Sequence, residues 1–297
     1  MLYDYFASKH VEKCDIFHGW SGHSLLSSRK AKEIGAKTII EVGSAHPLIV
    51  NKLLREEFRR YGVKTEPIPN FDRCCREMEE CDYVAVPSNF VKESFLEQGF
   101  AEDKLIRLHY GVDFNKFKPT EKKDNIFRAI FVGSVILRKG VQYLLEAWNC
   151  LGLKNAELLI CGLIHEDTEK IVKEYKQNKS IKFLGYASRV PYDDANVSIL
   201  PSIEDGVGHV VGEAMACGLP VVVSEHTGAK DLVESGENGF VVPIRDVKSL
   251  KEKILYFYDN PEITRRMGKN ARKTVEEYTW TRYGNEVVKA YEKILTK

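Results

Sequence analysis

What most constrains this chain is a rhythm that runs, stops and starts again. Short apolar runs alternate with longer amphipathic ones, first from CDIFHGW to KLIRLHYGVD and again from FRAIFVGS onwards. A short run rich in β-branched and aromatic residues suits a strand buried on both faces, and the amphipathic stretch after it suits a helix lying on the sheet. Repetition of that pair predicts α/β architecture with parallel strands. The break falls at residues 114–125, FNKFKPTEKKDN, where a proline and a charge run read as a linker.

In the first unit the strands are CDIFHGW, KTIIEVGS, DYVAVPS and KLIRLHYGVD. Helices are expected at residues 22–34 and 49–61 and at NFVKESFLEQG, which Ser88 can cap. In the second unit the strands are FRAIFVGS, AELLICG, IKFLGY, VSILPS, PVVVSE and GFVVPI. Its helices are expected at residues 140–150, 167–177, 209–217, 229–235 and 246–258, with terminal helices at 261–277 and 280–297. The division is therefore 1–114, 126–278 and a closing helix over 279–297. Two doubly wound sheets bind ligands at the carboxyl ends of their strands, so the default site is the cleft between them.

Composition narrows the partners. The net charge of +1 offers no global field for nucleic acid. The seven cysteines are odd in number and form no C-x-x-C pair, which reads as reduced thiols in a cytoplasmic protein, and no ligand spacing suggests a metal. The N-terminus lacks a signal pattern, and no apolar run approaches the ~20 residues of a membrane span. Peripheral membrane contact stays open. Lys52, Arg55, Arg59 and Arg60 share one helix, but Glu56 and Glu57 interrupt them, so a solvated face is the better reading.

Two loops carry chemistry. In FVGSVILRKGVQYLLEAW a strand ends at Gly133, Ser134 follows, and Arg138 and Lys139 precede a helix opened by Gly140. Two cations at a helix start make either a phosphate site or a solvated basic turn. In PSIEDGVGHVVGEAMACGLPVVVS, Gly206 and Gly208 let the backbone turn tightly, and the amides of His209, Val210 and Val211 can face an anion. Glu213 in the following helix can hold the diol of a ribose, or merely complement the helix dipole. Diphosphate on the amides beside ribose on a carboxylate describes a nucleotide.

The ordered set resembles the retaining glycosyltransferases of family 4, with the GT-B fold. The matching residues are P-S-x-x-E/D-G-x-G-x-x-x-x-E-A-M-A-x-G-x-P-V-V, an upstream V-G-x-x-x-x-R-K-G, the segment DYVAVPSNFVKESFLEQGFAEDKL with YGVDFNKFKP, and TGAKDLVESGENGFVVPIRD. The resemblance implies transfer of a sugar from a nucleoside-diphosphate sugar to an acceptor hydroxyl, with retention by a front-face route. It implies no metal, and no cofactor beyond the donor substrate. It assigns Asp205, eight positions before Glu213, to the donor sugar hydroxyls and Glu213 to the ribose. Lys139 and Arg138 would neutralise the departing diphosphate, with Gly133 and Ser134 beside it. His46, in EVGSAHP, would donate a hydrogen bond near the reacting sugar. His18 and His23 could line the acceptor side, and Tyr186 could lie near the base.

Two departures accompany the match. The family's usual glutamate is an aspartate at 205, which leaves Glu204 to compensate or to be solvated. Its usual arginine after the first glycine is Ser134. The first unit also lacks the family's opening strands, which leaves CDIFHGW as a sheet edge. A fragment or internal start, a homodimer or second chain covering the edge, or a folded-back N-terminal helix would each account for that. The acceptor, whether glycan, lipid-linked or small molecule, is not encoded in any motif. The rival reading is a non-catalytic nucleotide-sugar-binding or partner-binding module, or one chain of a split glycosyltransferase. A Rossmann oxidoreductase is disfavoured, because no G-x-G-x-x-G follows a first strand.

Overall fold

The computed structural model describes residues 2–296. The first unit holds α1 (Leu2–Ser8), β1 (Ile16–Trp20), α2 (Leu25–Glu33), β2 (Lys37–Glu41), α3 (Pro47–Arg60), α4 (Phe71–Glu80), β3 (Tyr83–Val86), α5 (Asn89–Leu96) and β4 (Leu105–Arg107). Its four strands are parallel in the order β1-β2-β3-β4. The second holds β5 (Phe127–Val132), α6 (Val141–Leu151), β6 (Ala156–Cys161), α7 (Glu169–Tyr175), β7 (Ile181–Gly185), β8 (Val197–Leu200), α8 (His209–Ala216), β9 (Val221–Ser224), β10 (Gly239–Val242), α9 (Val247–Asp259) and α10 (Pro261–Val275). A last helix, α11 (Trp280–Leu295), closes the chain.

The second sheet is also all parallel, in the order β10-β9-β8-β5-β6-β7. Winding proceeds outward from β5 in one direction and then resumes from β8 in the other. The reversal between β5 and β8 opens a crevice at their carboxyl ends. The two loops singled out by sequence leave from those two strands, which is why they meet.

Ala129, Ile130 and Phe131 of β5 and all four residues of β8 are buried, as both faces of this sheet are covered. Among the described residues β1 pairs with β2 alone, so it stands as an edge of the first sheet. Helix α1 packs on α2 rather than along that edge. Asp4 is buried and accepts from the Leu26 and Ser27 N–H groups at 2.7 and 3.0 Å, with Arg73 as its counter-ion.

Helix α11 returns to the first sheet, where Ile294 joins Ile39, Ala85 and Leu108, flanked by Tyr283, Val287 and Tyr291. The chain thus crosses between units twice, and the crossings touch. The Val112 N–H donates to the Tyr278 carbonyl at 2.9 Å.

Two sequence expectations change. Residues 229–235 were expected as a helix, but only a 3-10 turn forms, over Gly228–Leu232. Helix α4 was not expected. Its apolar side is only Phe71, Cys74, Cys75 and Met78 among charged residues, and cysteine carries a weak apolar signal.

Candidate active site

Between the units lies a cleft of about 1440 Å³. One wall comes from the second unit: Gly133, Ser134, Arg138 and Lys139 after β5, and Asp205 with residues 207–210 after β8. His165, Glu166, Asp167 and Lys170, which no motif flagged, extend that wall. Asp167 accepts the Leu137 N–H at 2.9 Å and so braces the loop that carries the two cations. The facing wall comes from the first unit, with Trp20, Gly43, Ser44, Ala45 and the apolar side chains of α3.

Glycine lets these loops pack backbone to backbone. Gly140 has φ +68°, and a Cβ there would fall 1.9 Å from the Pro201 carbonyl oxygen. A Cβ on Gly206 would fall 2.5 Å from the Gly43 carbonyl oxygen across the cleft. Gly206 therefore sets how closely the units approach and does not line the cleft.

The adjacent acids Glu204 and Asp205 do different work. Glu204 is fully buried. It accepts the Ala45 N–H of the first unit at 2.9 Å through Oε1 and Arg138 Nε at 2.8 Å through Oε2. Arg138 in turn donates to Ser44 Oγ at 2.9 Å. Arg138 is thus the core of a bridge between units. Asp205 pairs with Lys139 and accepts the Gly208 N–H at 3.1 Å. Burial pushes its carboxyl up, but Lys139, Arg138 and the Gly208 N–H together hold it below the ordinary carboxylate value.

Helix α8 starts at His209. The His209 and Val210 amides open its first turn, whose donors have no preceding turn to bond. The Val211 N–H donates to the Gly208 carbonyl at 2.8 Å, so it is already engaged. The His209 ring stacks on Tyr110, 5.1 Å between centroids with 15° between planes, and leans on Trp280. That ring seals the junction where the chain crosses between units.

Glu213 is half-buried and does not line the cleft. Tyr192 donates to it at 3.1 Å. Burial raises its carboxyl above the ordinary value, against smaller opposing effects of Tyr192 and Lys116. Tyr186 is 78% exposed and also outside the cleft.

His46 lies under the cleft, not in it. It caps α3, with Nδ1 accepting the Leu48 N–H at 3.2 Å, and its ring packs on Phe95 and Phe100 at 5.0 and 5.4 Å. Burial pushes its pKa down to about 4. His18 is turned towards the last helix, with Nδ1 2.7 Å from the Tyr291 hydroxyl and Nε2 3.1 Å from Glu41. His23 packs edge-on against Tyr3. Among the described residues, no three His, Cys, Asp or Glu side chains are grouped to hold a metal ion, and no helix is long and apolar enough to cross a membrane.

Comparison with known proteins agrees with this geometry. The profile of the family described as glycosyl transferases group 1 matches residues 112–274, more than half of the chain. The capsular polysaccharide biosynthesis glycosyltransferase CapM of Staphylococcus aureus is 30% identical over 67% of this chain and 55% of its own length. The chain spans 55% to 60% of the length of the first three curated relatives it matches. Among solved structures, sucrose-phosphate synthase from Thermosynechococcus elongatus superposes with a TM-score of 0.78 at 23% identity, covering 99% of this chain and 77% of that one. HepE from Anabaena in complex with UDP gives 0.75 at 17% identity, over 97% and 80%. With two parallel-sheet units facing one cleft and the family profile over the second, the chain has the GT-B fold and belongs to the glycosyl transferases group 1.

Proposed function

We propose that this chain transfers a sugar from a nucleoside-diphosphate sugar to an acceptor hydroxyl, as a family 4 enzyme that retains the anomeric configuration. The observation that carries the reading is one wall of the cleft. Lys139, the open amides of His209 and Val210, and the Gly133–Ser134 turn all face the same space. Cations and helix-start amides in a partly enclosed site stabilise charge developing on a departing diphosphate. A structural neighbour solved with UDP is consistent with a nucleotide there.

In this reading residues 1–114 form the acceptor side, 126–278 the donor side, and 279–297 the strap between them. The bond from the anomeric carbon to the diphosphate oxygen breaks, and Lys139 and the amides take up the charge without a metal. The acceptor oxygen bonds to the same face of the sugar, and its proton passes to the leaving phosphate. Asp205 receives a sugar hydroxyl, and Glu213, set back from the cleft one turn along the helix that those amides open, receives the ribose diol through the carboxylate oxygen that Tyr192 does not hold. Arg138 acts at one remove, by fixing the loop that carries Lys139.

The test is turnover of UDP-, GDP- and ADP-sugars, with the product linkage read by NMR. One donor class is expected to be consumed with retention, and Lys139→Ala and Glu213→Ala are each expected to lose at least about 100-fold in kcat/KM. Tight nucleotide binding without turnover on any acceptor would instead identify a binding module.

A further inference from the structure

The pairing of Lys139 with Asp205 has a consequence for how a donor enters and a product leaves. The Asp205 carboxylate holds two groups suited to an anion, the Lys139 ammonium and the Gly208 N–H. Both residues line the cleft. The aspartate is itself buried, so little water screens its charge. Arg138 does not share this position, because its guanidinium is committed to Glu204 and Ser44. Lys139 is therefore the cation for which a diphosphate and Asp205 contend.

We infer that Asp205 is an internal competitor for the donor diphosphate at Lys139, an inference that rests on the donor reading above. Asp205 takes the ammonium whenever no diphosphate does. An entering diphosphate displaces it, and the released Oδ2 becomes an acceptor for a sugar hydroxyl. Once the glycosylated acceptor has left, no sugar hydroxyl remains beside it, so the carboxylate returns to Lys139 and speeds departure of the nucleoside diphosphate. A shorter side chain suits this exchange. Oδ1 stays tied to the Gly208 N–H, and only Oδ2 changes partner.

The test is calorimetric titration of UDP, GDP and ADP, and then of the matching nucleotide-sugar, into wild type, Asp205→Asn and Asp205→Ser. Both replacements keep an oxygen that can accept the Gly208 N–H, and thermal melts show which are folded. The competitor role gives at least about fivefold tighter binding of the nucleoside diphosphate in the variants, because a buried like charge has been removed. The same variants gain less, or lose, with the nucleotide-sugar, because the hydroxyl acceptor is weakened. Unchanged or weaker binding of the nucleoside diphosphate in the folded variants would overturn the competitor role while leaving the donor reading intact. Failure of wild type to bind any of the three would overturn both.

Discussion

At the scale of single residues, two neighbouring acids with opposite commitments organise the site. The family resemblance, through its spacing from Glu213, points to Asp205 rather than Glu204 as the donor-side acid. The role of Glu204 is not legible in the chain, because its partners Arg138 and Ala45 lie 66 and 159 residues away. Only the fold brings them together. Removing the charge of Glu204 takes from the largely buried Arg138 the carboxylate it is paired with, so Glu204→Gln is expected to destabilise the protein by about 3 kcal/mol, measured by urea unfolding. Glu213 carries a different signature. Its folded pKa is raised by burial, so its contribution to stability is fullest below the unfolded value of 4.5 and is lost as pH rises through the folded value. Glu213→Gln is therefore expected to melt higher than wild type at pH 7, with the advantage vanishing below pH 4.5, while transfer is abolished. Equal melting at both pH values would contradict the assigned burial effect.

At the scale of elements, strands were legible wherever apolar runs were unbroken, as in β5 and β8. What escaped was set by surroundings. Helix α4 has too few apolar positions to announce itself. The 3-10 turn at Gly228–Leu232 begins where Gly228 sits against the Gly206 carbonyl, which a Cβ would approach to 1.9 Å. His46 shows the same limit. The resemblance puts this loop histidine near the reacting sugar, whereas in the structure it caps α3 and packs on Phe95 and Phe100. Its pKa of about 4 lies below the ordinary 6.5, so the unfolded chain binds more protons between those values. Stability is full above pH 6.5 and falls as pH drops towards 4, by about 3 kcal/mol for this group. His46→Asn keeps a capping oxygen and removes the titration. Its melting temperature is expected to vary less than that of wild type over this interval, although its value at pH 7 is lower because packing is lost.

At the scale of the whole molecule, two buried carboxylates join the units, beside the Ser88 hydroxyl that donates to the Gly206 carbonyl at 2.8 Å and the Arg107–Asp231 ion pair at 2.8 Å. Glu204 of the second unit reaches the Ala45 N–H of the first. Glu57 on α3, fully buried, accepts from Gln142 at 2.8 Å, Tyr143 at 2.6 Å and Arg245 at 2.8 Å, all of the second unit. Glu57→Ala strips three donors of their acceptor and is expected to cost about 3–5 kcal/mol, lowering the urea midpoint. The broad architecture was readable because alternation of strand and helix is written locally, whereas these bridges join residues that only the fold makes neighbours.

In the proposed reaction the cleft wall around Lys139 holds the diphosphate of a donor. The most direct measurement is an equilibrium titration of UDP, GDP and ADP into wild type and Lys139→Gln, with melting curves to verify folding. Saturable binding of at least one nucleotide, weakened about tenfold or more in a folded Lys139→Gln protein, is the expected result. No binding to wild type, or equal affinity in the two proteins, would contradict it.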